Sequence, residues 1–180
     1  MRRRVAAIAL LALAALALAA TLAACGADED SAEAAEGEPI EIAGVSYNVQ
    51  ITRFLNPDDT EDAEYLIGQP LAKPGTSYLG VFMVIENDSG DARPSATDFT
   101  VVDTLDNEFD SAASESPYAL QVGADVPAEG QLPIPNSTAA TGPNQGSLLI
   151  FPVQDDVSDN RPLTLEIQTS AGTGEVILDI

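Results

Sequence analysis

The chain contains no histidine and no tryptophan, and Cys25 is its only cysteine. Histidine is the usual general base near neutral pH and the commonest ligand for zinc and copper. A single cysteine cannot form an internal disulfide, so a folded domain built from this chain must depend on apolar packing. These absences disfavour catalysis and transition-metal binding, and we predict no cofactor.

Basic side chains are scarce as well. After residue 24 the chain has four of them (Arg53, Lys73, Arg93 and Arg161) against 29 acidic side chains, a balance of −25. Nucleic acids need a basic surface, so we predict no nucleic-acid partner. An acidic surface of this kind generally provides solubility through self-repulsion, and it also suits divalent or basic partners.

The N-terminus combines a basic start with a long uncharged segment. Three arginines at positions 2–4 precede residues 5–22, which carry no charge and consist mainly of Ala and Leu. These are the parts of a secretory signal. The sequence Leu22-Ala23-Ala24-Cys25 resembles the bacterial lipobox, which implies cleavage before Cys25 and a diacylglycerol on its thiol. We therefore predict a lipoprotein signal peptide over 1–24 and a protein lipid-anchored on the extracytoplasmic face of the cell membrane.

An uncleaved transmembrane anchor is the alternative, because 18 uncharged residues are at the lower limit for spanning a bilayer. It would give the same topology, with the arginines inside. The export route, Sec or Tat, stays open. Residues 25–39 follow as an acidic linker: positions 26–39 hold six acids and no base. Such a composition favours disorder.

From residue 40 onward, short apolar runs alternate with turn signals. Val45, Tyr47, Val49 and Ile51 alternate with polar residues, which predicts a strand with one buried face. Residues 78–85 are apolar on both faces and predict a central strand. Further strands are predicted at 99–102, 108–109, 130–134, 148–151, 163–167 and 176–178, whereas 60–75 is interpreted as a long connection with a minor strand at 65–67. Pro152 must lie at a strand end, an edge or a bulge.

About seven short strands without an amphipathic helix predict an all-β fold, an immunoglobulin-like antiparallel β-sandwich over residues 40–180. Three segments add a resemblance: residues 80–87, residues 98–103 followed by 107–109, and the pair 148–153 and 163–167. Together they resemble a family of uncharacterised bacterial lipoproteins with an immunoglobulin-like domain of unknown function, some of which carry a telomeric-repeat-binding-factor-like label. The resemblance implies this fold and a location in the cell envelope, and it transfers no site.

Residues 111–145 contain five prolines and little periodicity. We therefore expect a long functional loop or a cover on the sandwich. Loops on rigid scaffolds often carry binding sites. The candidate residues for contact with an envelope protein are the apolar side chains of this segment: Tyr118, Leu120, Val122, Leu132 and Ile134. The alternative is that they fold back onto the sheets.

Calcium is a second hypothesis. Asp103, Asp106 and Asp110 cluster in one turn, and calcium binds six to eight oxygens from flexible loops. Neither this turn nor residues 155–160 has EF-hand spacing, and Asp is an ordinary turn former. A carboxylate-based hydrolase is the weakest alternative, since no nucleophile motif is present. The sequence thus predicts a non-enzymatic surface lipoprotein that binds a partner or small ligand in the envelope.

Overall fold

The computed structural model describes residues 32–180. They form twelve strands: β1 Ala32–Ala35, β2 Ile40–Ile42, β3 Val45–Leu55, β4 Thr76–Asn87, β5 Arg93–Pro94, β6 Asp98–Val102, β7 Glu108–Asp110, β8 Asp125–Val126, β9 Gly130–Leu132, β10 Ser147–Gln154, β11 Leu163–Thr169 and β12 Gly172–Leu178. Two short helices, α1 Thr60–Tyr65 and α2 Thr138–Thr141, and a 3₁₀ turn at Asp155–Asp159 complete the elements.

Two sheets hold ten of these strands. Sheet A has the order β1-β12-β11-β6-β7, and sheet B has the order β10-β4-β3-β2 with β9 also paired to β4. Strands β5 and β8 form a separate two-stranded pair. The predicted fold class, an immunoglobulin-like β-sandwich, is confirmed. The strand count was too low because β1, β2, β5 and β8 are short, and the pairing of β1 with β12 is parallel rather than antiparallel.

The inner faces of the sheets enclose the main core, in which Phe99, Val101 and Leu165 of sheet A meet Leu79 and Phe151 of sheet B. Each of these side chains is essentially inaccessible to solvent. Burial of apolar surface of this kind contributes about 25 cal/mol per Å². With no disulfide available to the chain, this core is what holds the sheets together.

Strand β4 is buried on both faces, as predicted. Leu79, Val81 and Met83 point into the main core, whereas Tyr78 and Phe82 belong to a second cluster on the outer face of sheet B. That second cluster is covered by Tyr65 of α1 and by Tyr118 from the long loop. We call α1 and residues 116–120 together the cover. The rings of Tyr65 and Phe82 meet edge to face with centroids 5.1 Å apart. This is a favourable aromatic geometry.

A bulge in β3 corrects the predicted face of Ile51. Register with β4 shifts between Val49 and Ile51, so one extra residue is inserted there. Before the bulge Val49 faces the main core, but after it Ile51 packs on the second cluster. Sequence alternation alone would keep both on one face. The inversion also turns Arg53 towards α1.

The outer edge of β10 is protected by pairing and by proline. Leu148 donates its N–H to the Tyr118 carbonyl at 2.8 Å and accepts from the Leu120 N–H at 2.9 Å. The Ile150 carbonyl accepts from the Ala112 N–H at 2.7 Å. Pro152 is the next residue with this orientation and has no N–H to present. An edge is one of the three positions predicted for Pro152, the others being a strand end and a bulge.

The predicted acidic linker is too long at its C-terminal end. Residues 32–35 form β1, which pairs in register from Ala32 with Gly174 to Ala35 with Ile177. Polar composition suggested disorder, yet Ala32 and Ala34 pack against the main core. The folded domain therefore begins before residue 40. The signal peptide and residues 25–31 lie outside the described residues.

Glu36, another residue of that predicted linker, joins the two sheets. Its carboxylate accepts from the Thr52 N–H next to the β3 bulge and from the Asp179 N–H after β12, both at 3.0 Å. Thr52 is buried, so the Glu36 carboxylate provides an acceptor for a backbone N–H that has little contact with solvent.

Replacing Glu36 by alanine is therefore expected to lower the free energy of unfolding by about 1.5–3 kcal/mol, the value of hydrogen bonds to a charged group. Glu38→Ala is the matched control, since the Glu38 carboxylate accepts one long, exposed bond of 3.4 Å. It should change stability by less than about 0.5 kcal/mol. Urea unfolding of both variants checks the prediction, and equal effects would contradict it.

The segment 60–75 differs from its prediction as well. It contains α1 and no strand at 65–67. Asp59 caps the helix, because its carboxylate accepts from the N–H groups of Glu61 and Asp62. An Asp cap followed by acidic residues in the first turn is a sequence signal for a helix start. The prediction was wrong because the helix spans only six residues, too short for a periodic pattern.

Candidate functional site

A polar cluster on the outer face of sheet B attaches α1 to β3. Arg53, turned outward by the bulge, forms an ion pair with Asp62 and lies 3.8 Å from the Glu61 carboxylate. Asp62 is buried and also accepts from the Asn56 N–H at 2.7 Å. The Arg53 guanidinium lies 6.0 Å from the centre of the Tyr65 ring. This separation is within range of a cation–π contact. These contacts join β3 and the turn after it to α1.

Burial raises the pKa of Tyr65 above its usual value of 10.0, and the nearby Glu61 carboxylate acts in the same direction. Burial likewise raises the pKa of Tyr118, which donates a hydrogen bond of 3.2 Å to the Glu64 carboxylate. Both phenols therefore stay protonated at neutral pH and serve as donors. Neither is suited to act as a general base. We interpret this cluster as an anchor for the cover, which sequence reasoning missed because it depends on the bulge.

The five predicted partner-contact residues do not form one surface. Tyr118 and Leu120 are buried and Leu132 packs against the main core, so the loop folds back onto the sandwich at these positions. Their assignment to a partner surface is corrected on that ground. Val122 and Ile134 are exposed, at 44% and 58%, and for them contact with a partner stays a prediction.

The Asp103 carboxylate stabilises its own turn by accepting hydrogen bonds. The buried Asp103 carboxylate accepts from the N–H groups of Leu105 at 2.8 Å and Asn107 at 3.0 Å. Its other oxygen accepts from the side-chain amides of Asn107 at 2.9 Å and Asn160 at 3.1 Å. Burial acts to raise the pKa of Asp103, but these hydrogen bonds outweigh it and leave the pKa below the usual 3.8.

The other two calcium candidates stand apart from this arrangement. Asp106 is exposed with a backbone φ of 61°, and Asp110 accepts from the Thr100 hydroxyl at 3.2 Å. Within residues 32–180 no three His, Cys, Asp or Glu side chains group together as potential metal ligands. Because donors occupy both Asp103 oxygens, a calcium ion could bind there only by breaking the turn.

Removing this carboxylate has a pH-dependent expected result. At pH 7, Asp103→Asn should lose about 1.5–3 kcal/mol, since a charged acceptor is replaced by a neutral group with one acceptor oxygen. The lowered pKa means that the carboxylate stabilises the fold fully above about pH 3.8 and less as pH falls towards its folded pKa. The difference in the free energy of unfolding between wild type and variant should therefore become smaller as the pH falls.

Asp106→Asn is the matched control for this prediction, because it removes an exposed charge from the same turn and asparagine also tolerates a positive φ. It should change stability by less than about 0.5 kcal/mol at any pH. Thermal unfolding followed from pH 7 to pH 3 checks both variants. A constant difference between wild type and Asp103→Asn across that range would contradict the assignment.

An open cleft of about 620 Å³ lies where the long loop crosses from sheet A to sheet B. After β7, the Ser111 N–H donates to the Phe99 carbonyl at 3.1 Å and Ala112 pairs with Ile150, so the chain bridges the two sheets. Leu120 returns to the edge of β10. The larger apolar side chains that line the cleft are those of Phe99, Leu120, Val122, Leu148 and Leu149.

The polar lining of the cleft consists of hydroxyls, amides and two carboxylates: Thr97, Asp98, Thr100, Asp110, Ser111, Ser114, Gln121 and Gln168. Within the described part of the chain, no basic side chain lines it. Thr97 donates to Asp98 at 2.8 Å. A carboxylate has further lone pairs, so Asp98 can still accept from a ligand. The cleft volume falls in the range of small-molecule sites, about 300–1,000 Å³. This is the candidate ligand site, and it disfavours anionic ligands.

Comparison with known proteins supports the fold and goes no further. No protein-family model matches the chain, and no curated protein matches it. It is similar to the yjhA protein from Bacillus subtilis, with 14% identity and a TM-score of 0.53 over 81% of this chain and 99% of that one. An uncharacterised β-sandwich protein from Clostridium difficile has 11% identity and a TM-score of 0.50 over 84% and 97%.

Both similarities are far below the identity at which function transfers, so they show a β-sandwich and leave its role open. The resemblance to an uncharacterised lipoprotein family has support at this level of fold, and membership stays a prediction. Among residues 32–180, the helices are all too short to cross a bilayer.

Proposed function

We propose that this protein is a lipid-anchored extracytoplasmic lipoprotein that acts without catalysis, by binding a partner or small ligand through the cleft between Asp98 and Val122. The cleft is the observation that carries the proposal. It has a volume suited to a ligand, and backbone hydrogen bonds hold its rim in place. The signal pattern ending in Cys25 supports the location.

The chemistry of the cleft fits binding better than turnover. Its charged groups are the carboxylates of Asp98 and Asp110, each of which accepts from a neighbouring threonine hydroxyl. Among the described residues that line it there is no lysine, tyrosine or cysteine to act beside them as a nucleophile or general base. A neutral polyhydroxyl or basic ligand would complement this surface, whereas an anion would be repelled.

Site-specific photocrosslinking in intact cells tests the binding role. A photoreactive residue at Val122, which lines the cleft and is 44% exposed, should capture a defined product. The control position is Leu105, a 66% exposed apolar residue outside the cleft lining, which should not give that product. Identical products from both positions would overturn the cleft as the binding site.

Metabolic labelling tests the anchor independently. The wild-type protein should incorporate a labelled fatty acid and fractionate with the membrane. Cys25→Ser should lose the label, because the only thiol in the chain is gone. Retention of label in this variant would overturn lipidation at Cys25.

A further inference from the structure

The first described strand determines where the chain enters the sandwich. Strand β1 runs parallel to β12, with Ala32 opposite Gly174 and Ala35 opposite Ile177. Strand β12 starts at Gly172, directly after the tight turn that joins it to β11. The chain therefore enters sheet A at the end that carries the β11–β12 hairpin and runs away from it.

The length of chain before β1 limits how far this end can lie from a lipid on Cys25. Seven residue steps separate Cys25 from Ala32. They reach at most about 25 Å when fully extended. As a flexible coil they would average about 14 Å. A domain of this size has a diameter of about 40 Å, so one end of it is held closer to the membrane than the other.

The two ends of sheet A differ in charge. The hairpin residues 169–174 carry no charged side chain in this strongly acidic protein, and the carboxylate beside them on the neighbouring strand is that of Asp98, which pairs with Gln168. At the opposite end, where Leu163 pairs with Leu178, lie the Asp103 turn and the start of β7. Asn160 donates to Asp103 at 3.1 Å and so brings the acidic 155–159 turn to that same end.

On the side of sheet B, the hairpin end also carries charged side chains, so the difference in charge between the two ends is smaller there. The turn after β4 places Asp88 and Asp91 at the hairpin end, next to Arg93, which donates to the Ala43 carbonyl at 3.2 Å and the Ser89 hydroxyl at 2.9 Å. The uncharged part of this end is therefore the corner formed by the β11–β12 hairpin.

We infer that the β11–β12 hairpin, residues 169–174, faces the lipid headgroups and that the acidic end with the Asp103 turn points away from the membrane. Anionic headgroups repel carboxylates, so the uncharged corner approaches them at the lowest electrostatic cost. The cleft follows β6 and includes Asp98 and Gln168, so in this orientation one side of it lies near the hairpin. The inference rests on the proposed lipid anchor at Cys25.

Energy transfer from single labels to lipid dyes tests this orientation. Because lipidation consumes the only native thiol, a cysteine introduced by Ala171→Cys or Leu105→Cys is the only free thiol in the full-length lipidated protein. Both residues are exposed in turns at opposite ends of sheet A. Each variant is labelled with a fluorophore and reconstituted into vesicles of phosphatidylglycerol and phosphatidylethanolamine that contain a headgroup acceptor.

The label at residue 171 should lie closer to the acceptor plane than that at residue 105 by about 20 Å, the length of a six-residue strand. Equal distances, with the protein still bound to vesicles, would overturn the orientation and leave the anchor standing. Absence of vesicle binding and of fatty acid on Cys25 would instead overturn the anchor and the inference with it. Unchanged melting temperatures confirm that both labelled variants are folded.

Discussion

Replacing Phe82 by alanine is expected to lower the free energy of unfolding by about 3–5 kcal/mol, the range for truncation of a fully buried phenylalanine. Phe82 is inaccessible to solvent at the centre of the second cluster and lies under the ring of Tyr65. Tyr65 in turn meets Tyr118 edge to face at 4.8 Å, so a cavity here would remove support from both parts of the cover.

Phe54→Ala is the matched control. Phe54 lies on the neighbouring strand β3 and is 38% exposed, so the same truncation opens no closed cavity. The loss should be less than about 1.5 kcal/mol, because part of the ring is already in contact with water. Denaturant unfolding monitored by circular dichroism compares the two variants. Similar losses for both would show that the cover contributes little to the outer face of sheet B.

Hydrogen exchange on Phe82→Ala shows whether the cover unfolds together with the sandwich or separately from it. If the cover is cooperative with the sandwich, amides in α1 and in residues 116–120 should lose protection together with those of β4. Selective loss in the cover would instead identify it as a separate unit. Since Leu120 lines the cleft, that result would also mean that the ligand site can open without unfolding of the sheets.

Gly146→Ala is expected to lower the free energy of unfolding by about 2–5 kcal/mol, the sum of left-handed backbone strain and overpacking. Gly146 has a φ of +112°, and a Cβ built there would lie 2.8 Å from the backbone N and O of Met83. Met83 is in the middle of β4 and pairs with Ser147 at the start of β10. The strand cannot move aside without breaking that pairing.

Gly75→Ala separates the two contributions. Gly75 has a φ of +85°, but a Cβ there meets nothing within 4 Å. It should therefore show the backbone strain alone, about 1–2 kcal/mol. Thermal unfolding of the two variants measures the difference. Equal losses would mean that the approach of residue 146 to β4 carries no steric penalty.

Several elements were predictable from local pattern. The alternation of residues 45–49 predicted a strand, and the apolar run at 78–85 predicted the central strand β4 with both faces covered. The missing N–H of Pro152 restricted it to a strand end, an edge or a bulge, and it lies on the edge strand β10. These predictions hold because residue spacing and proline chemistry act over a few neighbouring residues.

Other features depend on partners far along the chain. Ala32 and Ala34 belong to a strand only because β12, close to the C-terminus, offers an edge to pair with. Ile51 changes face because of a bulge that no composition signals, and Glu36 gains its role from the Thr52 N–H next to that bulge. The residues next to these positions in the sequence do not indicate which distant residues they will contact.

The candidate site shows the same division. The export pattern, the acidic balance and the all-β class could be predicted from the residues alone, because each follows from composition or short spacing. By contrast, the inward position of Tyr118 and Leu120, the use of Asp103 within its turn, and the cleft between Asp98 and Val122 exist only in the folded chain. Each of them depends on which strands become neighbours, and packing across the whole chain determines that.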